Sequence, residues 1–137
     1  MGDYYVYAYL DPRKPGNYIY GNYVFEYEPF YIGEGLGNRL NSHLRKVINN
    51  SFKVANYKNN KIKSILNDES KPIIIKVESS LSRFDACKLE SELINLIGKL
   101  IDGTGPLSNT ISEHPYLKSG NYKNLYKHPE SVKEKIS

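Results

Sequence analysis

The stretch Phe30-Tyr31-Ile32-Gly33-Glu34-Gly35-Leu36-Gly37-Asn38-Arg39-Leu40-Asn41-Ser42-His43-Leu44 brings a phenol, a guanidinium and an imidazole close together. Alternation along a strand puts Phe30 and Ile32 on one face and Tyr31 on the other. Gly33, Gly35 and Gly37 let the backbone turn, and in the helix that follows Arg39 and His43 share one side. A phenol can orient or deprotonate water, and a guanidinium fork matches two phosphate oxygens. The stretch therefore reads as facing a phosphodiester. The inward carboxylate such chemistry calls for is Glu90. It falls within the apolar stripe Ala86, Leu89, Leu93, Ile94 and Ile97 of a helix that Ser82 caps and Gly98 ends. A carboxylate on that face is costly unless it is paired or binds a cation. The pattern leaves both open: a buried ion pair with Arg39 or a lysine, or a metal ligand.

Several elements must position these groups. Asp3 to Leu10 is a strand with Val6, Ala8 and Leu10 towards the core. Tyr5, Tyr7 and Tyr9 point the other way, as half-buried packing or as a functional wall. Pro12 and Pro15-Gly16-Asn17 read as breaking the strand. Tyr18 to Tyr27, with Gly21-Asn22 at its middle, reads as an elaborated hairpin returning through Pro29 into a strand at 30–32. Asn38 is the expected N-cap of a helix striped by Leu40, Leu44, Val47 and Ile48. A second helix carries Ile62, Ile65 and Leu66. The β-branched run Ile73 to Val77 predicts a central strand. After the Glu90 helix, residues 103–109 bring Asn109 back towards the sheet. Residues 110–137, with Pro115 and Pro129 and few apolar side chains, read as a tail.

With 137 residues the chain fits one domain with a short appendage. No apolar run is long enough to span a bilayer and no signal-peptide pattern opens the chain, so a soluble cytoplasmic protein is expected. The single Cys87 forms no internal disulfide and is read as a buried thiol, and no Cys/His cluster points to zinc. Charge is unevenly spread. Residues 1–38 hold 2 basic and 5 acidic side chains, 39–67 hold 7 and none, 68–104 hold 5 and 7, and 105–137 hold 5 and 3. The +7 block contains Arg39, Arg45, Lys46, Lys53, Lys58, Lys61 and Lys63. It predicts a polyanion-binding face, the alternative being a solvated helix surface.

In this order the elements resemble the GIY-YIG nuclease family. Tyr5-Val6-Tyr7 stands where that family has Gly-Ile-Tyr, and Tyr31-Ile32-Gly33 matches its second motif. Arg39 and His43 are similar to its Arg-x-x-x-His helix. Leu89-Glu90-x-x-Leu93-Ile94 resembles its Glu helix, and Gly105 to Asn109 its closing Asn motif. The sequence departs from the family in the long gap between the tyrosine motifs, in Tyr5 for Gly, and in Glu34 where many members have Lys. The short Gly35–Arg39 spacing resembles the subfamily that includes both branched-DNA nucleases of animals and several phage enzymes.

The resemblance implies an α/β (α+β) domain over residues 1–109. It would be a small three-stranded antiparallel sheet with an elaborated hairpin, flanked by three helices. It also implies Mg²⁺-dependent cleavage of double-stranded DNA, with Mn²⁺ able to substitute. Glu90 would be the metal ligand and Arg39 the phosphate donor. Tyr7 or Tyr31, its pKa lowered by metal and Arg39, would act on water. His43 would touch phosphate or hold a tyrosine, and Asn109 would orient the site. Residues 120–137 resemble the modular DNA-binding repeat of phage-type homing endonucleases, with Lys123, Lys127 and His128 as DNA contacts. A homing-type enzyme, a transient dimer on DNA, is therefore the first expectation. A branched-DNA nuclease or a non-catalytic DNA-binding module are the alternatives.

Overall fold

The computed structural model describes residues 2–49 and 56–119. Lys53, Lys123, Lys127 and His128 lie outside them. Strands β1 (Tyr4–Tyr20), β2 (Tyr23–Gly35) and β3 (Ile73–Leu81) form one antiparallel sheet in the order β2-β1-β3. Helices α1 (Ser42–Ile48) and α2 (Tyr57–Asn67) lie between β2 and β3 in sequence. Helix α3 (Arg83–Ile97) follows β3, and a short α4 (Pro115–Ser119) comes last. This is the expected α+β fold, and Ser82 caps α3 by accepting the Asp85 N–H at 3.0 Å.

Both faces of β1 are buried because helices cover the sheet on both sides. Val6, Ala8 and Leu10 pack with Ile32 and with Ala86, Leu93, Ile94 and Ile97 of α3. Tyr5, Tyr7 and Tyr9 pack with Phe30, with Val47 of α1 and with Ile62 and Ile65 of α2. Two such layers explain why β3 reads as continuously apolar. Ile74 supports the tyrosine side while Ile73, Ile75 and Val77 support the other. Yet β3 is an edge strand, and β1 is the central one. Coverage of both faces, rather than a central place, produced the β-branched run.

The prolines do not end β1. It continues to Tyr20 and turns at Gly21-Asn22 into β2, absorbing them in register shifts between Asp11, Pro15 and Tyr18. A further shift falls where Tyr9 pairs with Tyr31 but Leu10 pairs with Pro29. Phe30 is the extra residue, so it joins Tyr9 on the tyrosine side instead of sharing a face with Ile32. Near the shifts, Asp11 is fully buried and ties the ribbon to α2. It meets Arg13 at 2.9 Å and Lys61 at 3.1 Å, and Arg13 reaches on to Asp68. Burial raises the proton affinity of Asp11, but the bonds from Arg13 and Lys61 outweigh it and hold the carboxyl down at about 2.

Candidate active site

Tyr7, Tyr31, Arg39, His43, Glu90 and Asn109 line one pocket of about 500 Å³. They come from β1, β2, the turn before α1, α1 itself, α3 and the segment after it.

The three tyrosines of β1 divide the work of building it. Tyr7 is paired with Gly33 across the strands, and its ring lies over that glycine. A Cβ there would stand 2.5 Å from the Tyr7 Cζ and Oη. The Tyr5 hydroxyl donates to the Gly37 carbonyl and accepts the Leu40 N–H, both at 2.9 Å. Tyr9 donates to the Leu40 carbonyl at 2.7 Å and accepts the Leu44 N–H at 3.2 Å. These bonds occupy backbone groups that a helix start leaves open, and so pin the turn carrying Arg39 and His43. Asn38 makes no side-chain cap, because the chain enters α1 through a 3₁₀ turn at Arg39–Asn41. The Tyr5 substitution for Gly therefore has a structural task that alternation alone could not show.

Arg39 is exposed at the rim, its stem against Gly35, where a Cβ would lie 2.9 Å from the Arg39 Cδ. Tyr31 stacks edge-on with His43, ring centroids 4.9 Å apart, and the Lys58 Nζ sits 5.2 Å above the Tyr31 ring. Burial and the nearby ammoniums of Lys58 and Lys46 push His43 down to about 4, so it is neutral at pH 7. Asn109 acts as a short strand against β2. Its Oδ1 accepts the Ile32 N–H at 3.0 Å and its Nδ2 donates to the Ile32 carbonyl at 2.8 Å.

The phenols depart from the expected lowering. Burial raises both Tyr7 and Tyr31; at Tyr7 the neighbouring phenols Tyr31 and Tyr9 add to it before Glu90, at Tyr31 Glu90 comes next, and Arg39 does not offset the rise. Tyr31 is raised less than Tyr7, helped by a hydrogen bond from Tyr7. Burial, with Glu34 nearby, likewise lifts Glu90 to about 8. A largely buried carboxyl with so high a proton affinity, in a pocket also lined by Glu34, whose Oε1 is buried without a hydrogen-bond partner, fits a hard divalent cation.

The basic block is split by the fold. Arg45, Lys46 and Lys63 are exposed on α1 and α2. Lys58 instead lines the pocket, and Lys61 is drawn onto Asp11 inside the fold. The segment after Asn109, expected to be a linker, packs on the domain. The His114 N–H donates to the Ser91 Oγ at 3.1 Å, Lys99 bonds Ser112, and His114 Nε2 lies 2.8 Å from Glu34 Oε2. His114 was not foreseen because it lies far along the chain from its partner and in no motif. Cys87 is buried beside these groups, and burial pushes its thiol up to about 12.

Two tyrosines of a small sheet, an arginine, a glutamate and an asparagine thus converge on one pocket. Residues 4–129 match the family described as the LEM-3-like GIY-YIG domain, and the chain belongs to that family of nucleases. No curated protein and no solved structure matches it.

Proposed function

We propose that this chain is a divalent-metal-dependent DNA endonuclease that hydrolyses phosphodiester bonds, with branched DNA as its preferred substrate. The observation that carries the chemistry is the convergence of Tyr7, Tyr31, Arg39, His43, Glu90 and Asn109 on one pocket. The Glu90 and Glu34 carboxyl groups line the pocket together with the basic side chains of Arg39 and Lys58. Arg39 and Lys58 bind the scissile phosphate, where fixed cations stabilise charge developing on its oxygens. Glu90 would hold Mg²⁺, or Mn²⁺ in its place, which when bound supplies further charge against the phosphate and an activated water. Tyr7 and Tyr31, both kept protonated by burial, orient the attacking water through hydrogen bonds to their hydroxyls. Neutral His43 holds the Tyr31 ring in place, and Asn109 fixes the β2 backbone behind it.

Branched DNA is favoured by the LEM-3-like match. That match runs to residue 129 and so takes in part of the stretch that resembles an appended repeat. A homing-type, sequence-selective enzyme is the second reading, carried by the Gly…Asn…Tyr…Lys-His pattern from Gly120 onward. One site cuts one strand, so a double-strand break takes a transient dimer on DNA or two successive nicks. Cleavage of a four-way junction and of a plain duplex of the same sequence, each with Mg²⁺, separates the readings. Faster junction cleavage is expected. Equal rates on both, with cuts confined to one recurring sequence, would favour the homing-type enzyme.

A further inference from the structure

Glu34, the next-to-last residue of β2, immediately follows Tyr31-Ile32-Gly33 and lines the same pocket as Glu90. Its side chain is only 9% exposed. One oxygen, Oε2, accepts from His114 Nε2 at 2.8 Å, while Oε1 is buried without a hydrogen-bond partner. Glu90, 12% exposed, lies with Oε1 4.0 Å from the same His114 nitrogen. Two largely buried carboxyl groups thus flank one imidazole, which hydrogen-bonds Glu34. A carboxylate oxygen taken out of water without a donor is unfavourable, and a cation in the pocket would remove the penalty.

The tautomer of His114 decides what kind of site this is. Its Nδ1 accepts the Tyr116 backbone N–H at 2.9 Å, so the ring proton stays on Nε2. The ring is then a donor to Glu34 and not a metal ligand. Cys87 Sγ lies within 4.8 Å of a Glu34 oxygen and a His114 nitrogen, but it is fully buried beneath the pocket and does not line it. What remains open to a cation is carboxylate oxygen.

We propose that Glu34 is a second carboxylate ligand of the divalent cation held by Glu90, and that His114 is the positioning residue that aims it. Glu34 offers its free Oε1 while His114 grips Oε2, the arrangement in which an outer hydrogen bond fixes a ligating carboxylate. An all-oxygen set selects Mg²⁺ or Mn²⁺ over Zn²⁺. With two carboxylates in place, the cation binds before DNA arrives. A site with Glu90 alone would need DNA phosphate to complete it. The inference rests on the metal-dependent nuclease reading, and it accounts for the glutamate where many relatives of this fold carry a lysine.

The test is calorimetric titration of Mn²⁺ into the full chain without DNA, with thermal melts alongside. The wild-type chain should bind Mn²⁺, and Glu34→Gln should bind it at least about tenfold more weakly. His114→Leu should weaken binding to a similar degree, and His114→Gln, which keeps an N–H donor, should restore much of it. Cys87→Ser should bind as wild type. Because Glu34→Gln keeps an oxygen to accept from His114 and removes the carboxylate oxygen buried without a donor, its metal-free melting temperature should not fall, while the Mn²⁺-induced rise should shrink. Wild-type Mn²⁺ affinity in Glu34→Gln would overturn the proposal, as would loss of affinity in Cys87→Ser. If the wild-type chain nicks DNA with Mn²⁺ yet Glu34→Gln binds Mn²⁺ normally, the nuclease reading stands and this inference falls. If Mn²⁺ binds through Glu34 but DNA stays intact, the inference stands and the nuclease reading falls.

Discussion

Gly33 shows how a residue without a side chain can place one that has chemistry. The Tyr7 ring occupies the space a Cβ would need, 2.5 Å from its Cζ and Oη. Gly33→Ala should therefore displace the phenol, costing about 1–3 kcal/mol of stability through overpacking and most of the cleavage rate. Tyr7→Phe keeps the ring and removes only the hydroxyl, so it should melt near wild type while the single-turnover rate falls by about 10²–10⁴-fold. Parallel melts and rates check both; a wild-type rate in either variant would remove Tyr7 from the site. Asp11 gives a second test at this scale. Its carboxyl is held at about 2, below the ordinary 3.8, so its contribution is complete above pH 3.8 and is lost as pH falls through 2. That contribution is ~2 kcal/mol by linkage. Asp11→Asn should lower stability at pH 7 and flatten the acid limb between these values in urea-melt titrations.

At the scale of elements, the site depends on how the turn before α1 is moored to the sheet. Tyr5→Phe and Tyr9→Phe each strand two backbone groups of that turn, and each should cost about 1–3 kcal/mol in denaturant melts. Cleavage should weaken as well, since Arg39 and His43 ride on the turn. A stability loss without a rate loss would show the mooring to be dispensable. The period-two spacing made these tyrosines visible in the sequence, and helical phase alone turned Glu90 inward. The targets of their hydroxyls were not visible, because a 3₁₀ entry to α1 exists only once it packs on β1. Phe30 was misplaced for a related reason. A bulge reverses alternation, and nothing local to Pro29-Phe30-Tyr31 announces which residue is extra. The pairing of His114 with Glu34 was illegible because it joins two elements that only the folded sheet brings together.

Across the whole molecule, binding and cutting should be separable. Arg45, Lys46 and Lys63 are exposed on helices that flank the pocket, and such cations hold phosphates without reading bases. Changing each to Gln should reduce the salt dependence of DNA affinity by about one unit of log–log slope. The chemical step on saturating DNA should stay close to wild type. An unchanged slope would assign DNA binding to another face. The +7 block signalled this surface in the sequence. The fold then redistributed it, sending Lys61 to Asp11 and Lys58 into the pocket. The central claim is that one pocket, anchored by Glu90, cuts DNA with a divalent cation. Its most direct test is nicking of a supercoiled plasmid by the wild-type chain and by Glu90→Gln, with and without Mg²⁺, with DNA affinity measured on both. The wild-type chain should nick only when Mg²⁺ is present, and Glu90→Gln should lose at least about a hundredfold in rate while still binding DNA. Nicking by Glu90→Gln at the wild-type rate would contradict the account.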